Sequence, residues 1–270
     1  MYTNEVNKVA ESAQKKSEFL NENLFQYVVL AMMSGFFIII GIALSFSAAA
    51  IIQVEGKMYG KIAIGLTFWV ALGLLTFAGG ELFTGNCFVF TIGYLKRTVS
   101  LKETAKLLLI NYAGNLIGCM VLAFIYVQSK AMIGISDVYI EKTALSKLDI
   151  PMGQLFFRAV LCNFVICLAI WLCYKMKEET AKLIMMVFCV LAFAVSGFEH
   201  SIANMGIFSI ALLLPHDVNL TLFEVCKNVL IVTLGNMAGA SFFLGVPYWY
   251  ALKTKESIYK TDTMVIKKEQ

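Results

Sequence analysis

The chain has 270 residues, 59% of them hydrophobic and 15% charged, with a mean hydropathy of +0.76. Soluble domains run at about 45–50% apolar and about 25% charged, so an ordinary water-soluble domain is excluded. The net charge of +4 sits on lysines in short connections and tails rather than along one stripe, which argues against a nucleic-acid partner.

Residues 1–26 are polar, with Asn7, Lys8, Glu11, Lys15, Lys16 and Glu18. Their apolar residues are too sparse for a span or a cleavable signal peptide. They read as an amphipathic or loose segment on the membrane surface, with Lys16 a candidate contact at the inner mouth. A first uncharged span runs from Tyr27 to Ile52. The next apolar stretch, Ile62 to Leu95, is too long for one span of about 20 residues and too short for two with a loop. Gly79-Gly80-Glu81 lies in its middle. A third span covers Ala105–Val127, and a polar connection, Gln128–Gly153, follows. A fourth span covers Gln154–Tyr174. The fifth stretch, Leu183–Leu214, is again over-long and is interrupted by Ser196-Gly197 and Glu199-His200. A sixth span covers Leu222–Leu252, and residues 253–270 form a lysine-rich tail.

With six crossings, one side collects Lys8, Lys15 and Lys16, then Lys96, Arg97 and Lys102, then Lys175, Lys177 and Lys182, and finally the tail. Positive connections favour the cytoplasm, which puts both termini there. The seven cysteines (Cys87, Cys119, Cys162, Cys167, Cys173, Cys189 and Cys226) lie in or beside apolar runs and form no Cys-x-x-Cys pair. They read as small buried apolar groups. With two histidines in the chain, zinc-ligand spacing is missing, and neither a metal nor a cofactor is expected.

The chain repeats itself within a membrane domain of residues 27–252. Glu81 is followed five residues later by Asn86, and Glu199 by Asn204, each pair just after a glycine break. Gly114-Asn115-x-x-Gly118 in the third span returns as Gly235-Asn236-x-x-Gly239 in the sixth. Each copy, about 27–128 and 154–252, holds three spans, so the second must enter from the opposite face. That is an inverted repeat.

Irregular backbone cannot face lipid, so both breaks must be buried in protein or line a wet cavity. Glu81 and Glu199 stand where a carboxylate can cap freed N–H groups or balance the half-helix dipole. His200 is an ionisable group inside an apolar stretch and therefore a functional candidate. His216, in Pro215-His216-Asp217, reads as solvated. Thr84 can donate or accept inside a pore, or bond back to its own helix.

The segments GGELFTGN (Gly79–Asn86) and GFEHSIANM (Gly197–Met205) resemble the two signature segments of the formate/nitrite transporter family. Asn163 in CNFVICLAIW and the Gly-Asn repeats fit the same pattern, and the similarity runs from Leu24 to Leu252. The resemblance implies an all-α integral membrane protein of six transmembrane helices. Helices 2 and 5 would be broken in an aquaporin-like inverted repeat, assembled as a homopentamer with one pore per subunit. It implies a channel or transporter for small monovalent anions (hydrosulfide, formate, nitrite) in the bacterial plasma membrane, not an enzyme. By the same resemblance Thr84 and His200 match the central polar pair, and Asn163 a polar residue nearby. Phe68, Leu72, Phe83 and Phe193 match apolar constrictions, Leu82 neighbours one, and Lys147 matches a lysine that attracts anions on the outer side. Gly79, Gly80, Glu81, Asn86, Gly197, Glu199 and Asn204 are left to shape the breaks. Only two of the 22 basic residues are arginine, which points to a low-GC bacterium and favours the hydrosulfide branch. A proton-coupled formate/nitrite transporter would use His200 as well. An aquaporin-like channel for neutral solutes should carry Asn-Pro-Ala at its breaks, and none of Pro151, Pro215 and Pro247 lies there.

Overall fold

Inside a bilayer each segment must satisfy its own backbone, and the chain folds as helices joined by short connections. The computed structural model describes residues 3–52, 59–215 and 220–252. His216, the residues between the first two spans and the lysine-rich tail lie outside the described residues.

Helix α1 (Thr3–Glu22) precedes the first span, α2 (Leu24–Ile52). The second crossing comes in pieces: α3 (Tyr59–Thr67), α4 (Trp69–Leu74), a π-helical turn over Leu75–Gly79, and then α5 (Phe83–Leu95). Gly79 takes φ +85°, and Gly80 and Leu82 are extended. α6 (Leu101–Gln128) opens with a reciprocal capping box between Ser100 and Glu103. After α7 (Asp137–Leu148) comes α8 (Met152–Lys175). The fifth crossing is α9 (Glu179–Val195), a turn with Gly197 at φ +72°, and α10 (Ser201–Leu213). α11 (Leu222–Ala240), a second π-helical turn (Ser241–Gly245) and α12 (Val246–Ala251) complete the sixth.

Among the described residues, five helical runs are long and apolar enough to cross a membrane: Leu24–Ile52, Tyr59–Gly79, Leu101–Gln128, Met152–Lys175 and Leu222–Ala251. The pieces after each break, α5 and α10, have 13 residues each. At 1.5 Å per residue that is about 20 Å, short of the roughly 30 Å hydrocarbon layer. They can only serve as parts of a crossing.

Two segments depart from the sequence reading. The N-terminal segment does not lie loose on a surface. Val6, Val9, Ala10, Ala13 and Leu20 form a narrow buried stripe on α1, which docks against α5. A Cβ at Gly93 would come within 2.5 Å of Ala13 Cβ, so the bare glycine backbone is what admits α1. Thr98 donates to the Ala10 carbonyl at 3.0 Å. The polar connection after the third span contains a helix, α7, whose Ile140 and Ala144 point inward one turn apart.

The repeat appears in the contacts as well as in the letters. α2 packs on α6 as α8 packs on α11. A methyl at Gly118 would run into the Met32 carbonyl, and one at Gly239 into the Val160 carbonyl. Backbone cannot yield as a side chain can, so Gly118→Ala and Gly239→Ala should each cost about 3 kcal/mol or more. Gly153 faces open space, so Gly153→Ala should be neutral or mildly stabilising. Thermal unfolding of the purified protein in detergent checks this; equal melting of all three variants would refute the close approach.

Candidate functional site

Each break leaves backbone groups without helical partners, and an asparagine on the neighbouring span bonds to both sides of it. Asn115 donates to the carbonyls of Ala31 and Glu81, each at 2.8 Å, and accepts from the Phe83 N–H at 2.9 Å. Asn236 donates to Ala159 at 2.8 Å and Glu199 at 2.9 Å, and accepts from the Ser201 N–H at 2.8 Å. The backbone pairs match too: Glu81 N–H to Leu30, and Glu199 N–H to Arg158. Both asparagines are fully buried. The glycines of each Gly-Asn-x-x-Gly segment let the helices approach closely enough for these bonds.

The glutamates do something other than cap. The Glu81 carboxylate accepts from Lys16 at 2.8 Å, from Asn86 at 2.7 Å and from Tyr27 at 3.2 Å. Lys16 also donates to the Asn86 amide oxygen at 2.9 Å. Glu199 accepts from Lys147 at 2.7 Å and from Asn204 at 2.8 Å. The five-residue spacing thus lets an asparagine in the first turn hold the carboxylate, which holds a lysine. Asn111 receives Asn86 in one half, and Asn228 receives Asn204 in the other. Burial works to lower the Lys16 ammonium pKa, yet the Glu81 charge and hydrogen bond carry it above the usual lysine range. Lys16 therefore stays charged at neutral pH.

Lys16 lies on α1 and Lys147 on α7, and each helix precedes the first span of its half. The repeating unit is accordingly a lysine-bearing helix plus three spans, longer than the three spans read from sequence. Asn111 and Asn228 were visible as polar residues in apolar runs. Their part in the two networks had no local signal.

The Thr84 hydroxyl and His200 Nε2 are 2.9 Å apart, both buried. His200 Nδ1 accepts the Ala203 N–H at 3.1 Å, capping α10. An accepting Nδ1 assigns the ring proton to Nε2, so the ring donates to Thr84 and leaves the threonine proton for another acceptor. Asn163 sits behind this pair. Its amide donates to the carbonyls of Thr84 at 3.1 Å and Asn236 at 2.8 Å, joining the two halves. The Cys167 thiol lies 3.4 Å from the same Thr84 carbonyl.

Two cavities approach the pair from different ends. One, of about 610 Å³, is lined by Phe68, Phe193, His200, Lys147 and Arg158 among others. The Phe68 and Phe193 rings meet edge to face at 6.2 Å, and Phe193 lies 6.4 Å from the His200 ring. The other, of about 280 Å³, is lined by Lys16, Leu72, Leu75, Leu82, Asn86 and Tyr174. Leu82 thus reaches the smaller cavity. Thr84, two residues on, touches His200, which reaches the larger one. Phe83 lies between them, edge-on to Tyr112 of α6 at 4.9 Å, and lines neither cavity.

Removing one member of a buried ion pair leaves an uncompensated charge, at about 3–5 kcal/mol. Lys147→Met should therefore destabilise strongly, and adding Glu199→Gln should restore most of the loss. Melting temperatures of the two variants against the parent protein test this. A double variant no more stable than Lys147→Met would show that the pair is not what holds α7 to the second break.

A family model described as formate/nitrite transporter matches residues 3–250. The nitrite transporter NirC of Salmonella typhimurium is 34% identical over 257 residues, covering 95% of this chain and 94% of its own length. A solved structure described as an FNT family ion channel superposes with a TM-score of 0.88 at 34% identity, covering 92% of this chain and 99% of that one. A second, described as a pentameric formate channel with formate bound, gives 0.73 at 27% identity over 84% of this chain and 96% of that one. With a family model spanning nearly the whole chain and the broken-helix fold shared throughout, this multi-pass membrane protein belongs to the formate/nitrite transporter family.

Proposed function

We propose that the chain conducts small monovalent anions across the bacterial plasma membrane, with one pore per subunit of a homopentamer. The observation that carries this reading is the Thr84–His200 hydrogen bond between two cavities, each lined by the lysine of a part-buried lysine–glutamate pair. The α1 side is the cytoplasmic mouth, with both termini inside, as the lysine distribution favours. The α7 side is the outer mouth. The formate channel and the nitrite transporter among the relatives support an anion as the solute.

The lysines raise the local anion concentration at each mouth. An anion entering between Phe68 and Phe193, or between Leu72 and Leu82, sheds hydration, which is costly without replacement donors. The Thr84 hydroxyl supplies one, because its proton is not needed by His200. The ring itself acts as a positioned donor. Its Nδ1 is taken by the Ala203 N–H, so giving up the Nε2 proton would leave an imidazolate, and the geometry disfavours a proton relay through His200. Hydrosulfide, formate and nitrite are the candidate ions. The arginine-poor composition favours hydrosulfide, and the names of the relatives favour the other two.

Proteoliposomes assayed with hydrosulfide, formate, nitrite and chloride across a pH series test the class. Saturable flux of at least one small anion, without uphill uptake driven by a pH gradient, is the expected result; concentrative uptake would favour the proton-coupled transporter. His200→Phe removes a buried donor, worth about 1–3 kcal/mol, so flux should fall about tenfold or more. Unchanged rate and unchanged pH dependence would remove His200 from the pathway. Leu82→Val should widen the smaller cavity's inner end and raise flux. If rate and size selection both stay put, Leu82 is not at a constriction.

A further inference from the structure

The larger cavity holds more positive charge than its buried pair accounts for. Among the described residues, Lys61, Lys142, Lys147 and Arg158 line it, against Glu199 as the one lining carboxylate. Lys147 is engaged by Glu199. Lys61, Lys142 and Arg158 have no ion pair among the described residues. The smaller cavity is lined by one cation, Lys16, which is engaged by Glu81.

Among the three unengaged cations Arg158 differs in kind and place. Lys61 and Lys142 are exposed at the mouth, whereas Arg158 is half-buried on the membrane-spanning α8. Its carbonyl accepts the Glu199 N–H at 3.3 Å, which pins its backbone beside the residue that precedes His200. A lysine ammonium is a point charge that attracts any anion alike. A guanidinium presents a planar fork that matches two oxygens on one centre.

We propose that Arg158 reads anion shape in the outer cavity: its fork receives the two oxygens of a small monovalent oxyanion, formate or nitrite, before the His200 constriction. It thereby favours such ions over single-centre anions such as hydrosulfide and chloride. The proposal rests on the pore reading above and narrows its substrate class. The half-exposed position keeps the hold weak enough for release into the pore, as conduction requires.

The test compares the parent protein with Arg158→Lys, which keeps the charge and removes the fork, and Arg158→Gln, which removes both. Size-exclusion elution checks that each assembles like the parent. In proteoliposomes Arg158→Lys should raise the half-saturating concentration of nitrite and formate about tenfold and leave hydrosulfide unchanged. Arg158→Gln should weaken all of them. Unchanged nitrite and formate in Arg158→Lys, or an equal shift for hydrosulfide, would overturn the proposal. A second readout needs no transport. In detergent at constant ionic strength, nitrite or formate in place of chloride should raise the melting temperature of the parent and not of Arg158→Lys. Absence of that difference also overturns it. A parent protein that passes no anion would refute the pore reading, while the melting comparison would still decide the role of Arg158.

Discussion

Two interrupted helices inside a bilayer leave N–H and C=O groups that no solvent can satisfy, and the rest of this architecture depends on how that is solved. Asn115 and Asn236 each bind both sides of a break and the span beside it. One amide has the donors and the acceptor to do so. The glycines flanking each asparagine follow from the same constraint, because the amide reaches its partners only if two backbones nearly touch. Once the breaks are held, their half-helices converge, and Thr84 of one meets His200 at the start of the other inside the protein.

Charge is handled by a second, separate device. Glu81 and Glu199 are nearly buried, and a lone carboxylate there would be costly. Each is held by an asparagine of its own helix and a lysine from a helix outside the spans. The lysines in turn line the two cavities, so the groups that neutralise the buried carboxylates also carry positive charge into those cavities. This explains why α1 and α7 are docked rather than loose: each carries a charge that the membrane interior needs.

The polar centre is sparse by comparison. His200 spends one ring nitrogen on its own helix and the other on Thr84. Asn163, fully buried, spends its amide on two backbone carbonyls. Among the described residues, the Thr84 proton is left over, and the buried Ser201 hydroxyl beside His200 has no partner.

Spans, breaks and repeat were legible in the sequence, because a bilayer imposes a length on every crossing and makes glycine, glutamate and histidine conspicuous inside one. Gly79-Gly80 and Gly197 marked the breaks, and Gly-Asn-x-x-Gly marked their counterparts, without any coordinates. The amphipathic helices were harder to read. α7 buries only Ile140 and Ala144, too few to stand out from a polar connection, and the docking of α1 turns on the bare backbone at Gly93. The networks could not be read locally at all. Lys16 and Glu81 are 65 residues apart, and Thr84 and His200 are 116 apart. Residue types and spacings alone determined that the chain crosses the membrane with two buried interruptions. Which side chains satisfy those interruptions, and that the glutamates hold lysines while asparagines hold the backbone, was decided only by tertiary packing, since a hydrogen bond depends on where helices distant in sequence are brought within 3 Å of one another.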